Sequence, residues 1–179
     1  MLNTEFKYYH SPLGWIEIQA SHDAITSLVF CNERKDDECN QPDSAILKEC
    51  VRQLDEYFAG RLKKFNLLVK QEGTVFQQNI WNSLMDIPFG KTASYGNVAK
   101  ALNNPKAVRA VGAANGKNKV WIVVPCHRVI GADGSLTGYA GGLDRKKWLL
   151  AHEANVNLKL QTLNFNGEAL NEVKPKTSN

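Results

Sequence analysis

Apolar and polar residues alternate through Trp15–Ala20, WIEIQA, the period-two pattern of a strand with one buried face. AITSLVF, Ala24–Phe30, reads as a second apolar strand, and Ser-Pro-Leu-Gly and His-Asp turns divide this region into short segments. The period changes at Ser44. From there to Gly60, Ile46 or Leu47, Cys50, Leu54, Tyr57 and Phe58 recur at three-to-four spacing, the stripe of a helix that Gly60 stops. KKFNLLV, Lys63–Val69, is expected to be another strand. Together these pieces predict a small α/β domain with a mainly antiparallel sheet over residues 1–73.

A second change of pattern falls at Glu72-Gly73. Thr74 and Gln77 have the T-x-x-Q spacing of a capping box, and the helix they open carries Phe76, Ile80, Leu84 and Ile87 on one face before Pro88-Phe89-Gly90 ends it. FGKT is not a phosphate-binding loop, because Met85 occupies the position of its first glycine and no strand precedes it. Two short helices follow. In SYGNVAKAL, Tyr95, Val98, Ala99 and Leu102 share a face; Pro105 suits the first turn of the next helix, PKAVRAVGAANGK. There Ala107, Val108, Val111 and Ala114 are expected to face a core. The opposite stripe, Lys106, Arg109, Ala110, Ala113 and Lys117, is basic where its side chains are long and otherwise nearly flat. A helix, a short turn and a basic helix make the pattern of a helix-turn-helix. VWIVV then reads as a buried strand, Pro125–Gly142 as a glycine-rich turn region, and LDRKKWLLAHEAN as a last helix with Asp144 near its start. The mostly helical domain is thus expected over 74–155, with a tail over 156–179 that adds a strand or a turn.

Composition narrows the class. Of 179 residues 43% are hydrophobic and 22% charged, enough for substantial cores, and no apolar run approaches the roughly 20 residues of a membrane span. The start lacks the basic-then-apolar design of a secretory signal, so a cytoplasmic location is expected. The four cysteines are Cys31, Cys39 in a charged loop, Cys50 and Cys126; they form no C-x-x-C pair and, with His10 and His22, match no common metal-ligand spacing. Net charge is only +4, but no acidic residue lies between Asp86 and Asp133, while Lys91, Lys100, Lys106, Arg109, Lys117, Lys119 and Arg128 do. A one-signed segment in a balanced chain points to a polyanion, and small residues on its helix let a backbone approach phosphates.

The candidate chemistry sits where that segment ends, at Cys126-His127. A free thiol, with pKa ~8.5, is only slightly ionised at neutral pH and needs a base. Adjacent side chains point to opposite faces of a strand and diverge by about 100° in a helix, so a water relay from Cys126 to His127 is easier than direct contact. Glu153 is a candidate to orient the imidazole, although the last turn of a helix, where it is expected, disfavours a carboxylate; His152 is a rival base. Three readings stay open on these residues: a nucleophilic cysteine, a Cys-His hydrolase, or a non-catalytic helix-turn-helix protein with a structural cysteine.

VVPCHRVIG, followed by GYAGG and KKWLLAHE, resembles the O6-alkylguanine-DNA alkyltransferase family, from about Thr74 to Glu153; the first domain resembles it in size and general pattern. The resemblance implies a ribonuclease H-like first domain and a winged-helix-like DNA-binding domain that carries the active site. It implies repair of O6-alkylguanine, and more slowly of O4-alkylthymine, by irreversible transfer to Cys126, with no metal or organic cofactor. The implied partner is double-stranded DNA, met by a monomer in the cytoplasm. By the same resemblance His127 takes the thiol proton through water, Glu153 orients it, and Tyr95 helps hold and protonate the leaving guanine. Asn118 joins the recognition helix to the active-site strand, and Arg109 enters the base stack. Lys106, Ala110, Ala113, Lys117, Arg128, Thr92 and Ser94 complete the DNA face, while Val129, Tyr139, Ala140 and Gly141 form the base pocket. Two positions depart from the family. Lys119 follows Asn118 where many relatives have proline, which is expected to loosen the hinge or add a phosphate contact, and Ala140 stands where some have serine. Chemistry on a base requires it outside the stack, and a helix in the minor groove, where sequence readout is poor, suits lesions in any context.

Overall fold

The computed structural model describes residues 4–34 and 44–171; Cys39 and the end of the tail lie outside them. The chain forms β1 (Thr4–Ser11), β2 (Gly14–Ser21), β3 (Ala24–Phe30) and α1 (Ala45–Phe58), then α2 (Val75–Met85), β4 (Ala93–Ser94), α3 (Tyr95–Ala101) and α4 (Val108–Gly116). A single 3₁₀ turn, Cys126–Arg128, leads to β5 (Val129–Ile130) and α5 (Leu143–Asn171). The N-terminal sheet is antiparallel in the order β1-β2-β3, with Tyr9 opposite Ile16 and Ile18 opposite Leu28. The alternation in WIEIQA has the expected effect: Ile16, Ile18 and Ala20 are buried, as are Leu47, Cys50, Leu54 and Tyr57 of α1.

KKFNLLV is not a strand. Val69 makes a single parallel bridge to Ile25, and Asn66 is held on both backbone groups by the Gln53 side chain, at 2.8 and 3.0 Å. With those groups already satisfied by α1, the segment has little to offer a ladder. The outer edge of β3 is shared instead between two visitors. Ile25 pairs with Val69, and Leu28 pairs with Val120 from the second domain.

VWIVV is not a strand either. Beyond the Val120 bridge the chain coils on itself: Val123 N–H donates to the Trp121 carbonyl at 2.8 Å around Ile122, whose φ is +69°. Pro125 (φ −82°, ψ 59°) makes the next tight turn, closed by Cys126 N–H on the Val124 carbonyl at 2.8 Å. These are successive γ-turns, the first of the rare positive-φ kind. All five residues are buried, so the apolar run encodes burial and not extension.

The second domain packs α2, α3 and α4 together and joins β4 to β5 in a short parallel pair, Ala93 with Val129. Thr74 and Gln77 form the expected capping box, and Ser94 with Asn97 forms another at α3. The recognition helix is shorter than expected. Pro105 and Lys106 lie in the preceding turn, α4 starts at Val108, and Val108 projects beyond the core at 39% exposure. The final helix is longer than expected and replaces the strand or turn assigned to the tail. It continues past Asn155 because Asn157 donates to the Phe89 carbonyl at 2.9 Å and Val156 packs over Gly60. A Cβ at Gly60 would stand 2.8 Å from a Val156 methyl, and its φ is +75°; glycine serves both needs.

Candidate active site

Asn118 holds the turn that carries the cysteine. Its side chain accepts from Val120 N–H at 2.9 Å and donates to the Val124 carbonyl at 3.0 Å, bracketing the Ile122 turn, and it is 2% exposed. Asn115, one turn earlier on α4, donates to the Cys126 carbonyl at 3.4 Å. Burial pushes the Cys126 thiol up to about 11; the Asn118 amide, the Lys146 ammonium and the backbone N–H groups of Cys126 and His127 oppose that rise. At neutral pH the sulfur is therefore a thiol awaiting a base.

His127 is fully buried, with Nε2 2.8 Å from Glu153 Oε1 and Nδ1 buried without a protein hydrogen bond. Burial lowers its pKa against the pull of Glu153, so the ring is neutral. Its proton belongs on Nε2, facing the carboxylate, which leaves the Nδ1 lone pair free. Glu153 collects five donors. Tyr57 Oη, His127 Nε2 and Arg128 Nη2 reach Oε1 at 2.8, 2.8 and 3.0 Å, and Arg128 Nε and Gly90 N reach Oε2, both at 2.9 Å. Burial alone would raise this carboxyl, but the hydrogen bonds and charge of His127 and Arg128 hold it well below the usual carboxylate range. Because α5 runs on to Asn171, Glu153 stands mid-helix, and the macrodipole objection to it disappears.

Arg128 is the clearest correction. It is 6% exposed, doubly bound to Glu153, and donates through Nη1 to the Ile87 carbonyl at 2.7 Å. A carboxylate buried this deeply requires a counter-ion, and Arg128 is that ion rather than part of a DNA face. His152 is not the base: its Nε2 donates to the Tyr57 carbonyl at 2.9 Å and its ring stacks on Trp148.

The remaining assigned residues fall into two groups. Lys106, Arg109, Ala110, Ala113 and Lys117 are all exposed on or beside α4, opposite buried Val111 and Ala114; Thr92 is exposed nearby in sequence, and Ser94 is partly engaged as the α3 cap. Tyr95, on α3, accepts from Thr137 Oγ1 at 3.2 Å, which ties it to the segment after β5. Within that segment the Tyr139 ring lies 5.8 Å from Trp121 and its hydroxyl is buried without a partner. Burial, and then the nearby Cys126, hold its phenol well above the ordinary value. Gly141 lies against Tyr139, Phe30 and Trp121 with no room for a Cβ, Val129 is buried in β5, and Ala140 is exposed. At Lys119 the chain has a backbone tie. The Lys119 N–H, which a proline would lack, donates to Gln71 Oε1 at 2.8 Å.

Two residues of the site escaped the sequence reading. Lys146 is fully buried, with Nζ on the Val129 and Thr137 carbonyls at 2.6 and 2.8 Å. Its spacing to Leu149 and Glu153 on α5, three and seven residues, was the available signal. In sequence Tyr57 has the helical spacing of a core aromatic; its hydroxyl, which must find a partner once buried, is the further clue.

A buried thiol, an imidazole with one free nitrogen and a saturated carboxylate, set beside an exposed basic recognition helix, define a DNA-facing protein with a cysteine nucleophile. Residues 75–155 match the DNA-binding domain of 6-O-methylguanine DNA methyltransferase and residues 6–71 its ribonuclease-like domain. The chain belongs to the 6-O-methylguanine DNA methyltransferase family. It is 46% identical over 155 residues to the methylated-DNA–protein-cysteine methyltransferase of Methanosarcina acetivorans, covering 84% of this chain and 98% of that protein. The protein of the same name from Mycobacterium tuberculosis is 42% identical over 150 residues, covering 83% of this chain and 91% of the relative. Among solved structures, Mycobacterium tuberculosis OGT in complex with DNA superposes with a TM-score of 0.77 at 40% identity, covering 85% of this chain and 94% of that one. No helix among the described residues is long and apolar enough to cross a membrane.

Proposed function

We propose that this chain repairs DNA by taking the alkyl group from O6 of guanine, and more slowly from O4 of thymine, onto Cys126, and that one transfer consumes it. The observation that carries this reading is a buried thiol, 2% exposed, one residue from an imidazole whose Nδ1 is buried and unpartnered. A water between Sγ and Nδ1 fits the divergence of adjacent side chains and carries the thiol proton to Nδ1. Glu153, ionised on the Nε2 side, stabilises the resulting imidazolium without taking its proton. Lys146 and the Asn118 amide stabilise the thiolate. Sγ then attacks the alkyl carbon: the S–C bond forms, the C–O6 bond breaks, and its electron pair stays on the guanine. The Tyr95 hydroxyl donates a proton to the departing base and recovers one from solvent. The thioether offers water no carbonyl to attack, so the cysteine is not regenerated.

The lesion has to leave the duplex to reach a sulfur this deeply buried. In this reading α4 lies in the minor groove. Ala110 and Ala113 permit close approach, Lys106, Lys117, Thr92 and Ser94 meet phosphates, and Arg109 fills the space the base leaves. Tyr139, Val129, Ala140 and Gly141 then enclose the base. The protein works as a monomer in the cytoplasm.

Intact mass spectrometry tests the proposal. On incubation with duplex DNA bearing O6-methylguanine, Cys126 gains about 14 Da, one methyl replacing one hydrogen, once per chain. Full DNA binding with no adduct would refute alkyl transfer, and repeated turnover would favour a hydrolase.

A further inference from the structure

We infer that Tyr57, supplied by the N-terminal domain, is a positioning residue for alkyl transfer: its hydroxyl on Glu153 Oε1 fixes the carboxylate as an acceptor only and so keeps the His127 proton on Nε2 and the lone pair on Nδ1. The inference rests on the roles proposed above for Cys126 and His127.

The bond joins residues 96 apart in the chain. Tyr57 is fully buried on α1, and its hydroxyl lies 2.8 Å from the same carboxylate oxygen that faces His127 at 2.8 Å. As a packing group, phenylalanine would serve here equally well. The ring has its contacts already, with centroids 5.3, 5.4, 6.0 and 5.4 Å from Phe58, Phe65, Phe89 and His152. The hydroxyl is what a hydrophobic core would exclude, and it is aimed at the one carboxylate that serves the imidazole. With Gly90 N–H and three contacts from His127 and Arg128, it brings the donors on Glu153 to five, against about four lone-pair sites. A carboxylate so filled has no room for water and no tendency to take a proton.

Tyr57 and His127 also differ in kind. Burial, and then the charge of Glu153, hold the Tyr57 phenol well above its ordinary value, so it donates at every working pH. His127 exchanges its proton during the reaction. The two share Oε1, so each weakens the other's hold on that oxygen. The other groups that face this cluster are Arg128 and Cys126 on the turn, Lys146 and His152 on α5 and Tyr139 beyond β5. None of these donates a hydrogen bond from a neutral side chain to Oε1.

Removing the hydroxyl concentrates negative charge on Oε1 and strengthens its attraction for the imidazolium. The base then releases its proton less readily. For Tyr57→Phe, the acid limb of the single-turnover rate, followed as Cys126 mass against pH, is expected to move up by about half to one pH unit. On the acid limb, below the native pKa of His127, that makes transfer roughly 3- to 10-fold slower, and above pH 8 it leaves the rate within about twofold. Binding to lesion DNA, measured in a Cys126→Ser background, is expected to be unchanged. A purely structural role predicts an equal loss of rate at every pH, and that result, or an unmoved profile, overturns the inference. Fluorotyrosine at position 57 supplies a second arm. It keeps the shape, donates more strongly, and is expected to move the limb down; this arm decides the question if Tyr57→Phe does not fold. Absence of an adduct on the unaltered protein would refute the proposed alkyl transfer, a result distinct from either of these.

Discussion

Arg128→Ala separates an interior ion pair from a phosphate contact. In the native protein Arg128 binds both oxygens of Glu153 and the Ile87 carbonyl, and both charged side chains are nearly or fully excluded from solvent. Truncating one member of such a pair leaves a buried charge uncompensated and costs about 3–5 kcal/mol, against a total stability of roughly 5–15 kcal/mol. For a chain of this length that lowers Tm by roughly 6–20 °C. The sign with pH follows from Glu153. Held well below its unfolded value of ~4.3, the native carboxylate contributes fully above that pH, and its contribution fades as pH falls toward the native value. Without Arg128, burial dominates and raises the carboxyl, so the variant binds a proton more readily folded than unfolded. Its deficit is therefore largest near pH 7 and narrows toward pH 4, as thermal melts at the two pH values will show. A DNA titration in a Cys126→Ser background completes the assay. If Arg128 met a phosphate, its loss would reduce the salt slope by about 0.9; an interior residue leaves the slope unchanged. An unaltered melting temperature together with a shallower salt slope would refute the interior assignment.

Further outcomes follow from the same geometry. Asn118→Ala removes both bonds that bracket the Ile122 turn; it is expected to cost about 2–4 kcal/mol in melts and to slow transfer at every pH. Arg109→Ala is expected to slow repair in duplex DNA by roughly tenfold while leaving the reaction with free O6-methylguanine unchanged, and an equal effect on both would remove Arg109 from base extrusion. Lys119→Pro loses the N–H bond to Gln71 and is expected to lower stability by about 1 kcal/mol, read as a small drop in Tm.

Much of this architecture was legible because periodicity is a physical record of burial. WIEIQA showed which face of β2 packs, and Leu47, Cys50, Leu54 and Tyr57 showed the same for α1. The Thr74–Gln77 box marked the start of α2 because it meets a local hydrogen-bonding need. The failures share a cause: burial was visible, but backbone path and distant partners were not. In VWIVV five apolar side chains signalled an interior, and nothing in them disclosed a β-branched Ile122 at positive φ, a conformation imposed by Asn118. In sequence Arg128 stands with the other basic residues, because its partner, Glu153, lies 25 residues on. Tyr57 and Lys146 were hidden for a related reason. Helical spacing tells that a side chain points inward but not which polar group its tip will meet.

The two bridges on β3 bear on how the protein can be divided. A sheet border with free N–H and C=O groups recruits other strands, and here Val69 and Val120 occupy much of that border. Val120 belongs to the same short stretch that turns into Cys126, so the segment that delivers the nucleophile also shields the sheet from self-association. A fragment ending before residue 120 would lose the buried residues from Val120 onward and also expose an adhesive edge, and it should precipitate at concentrations the whole chain tolerates.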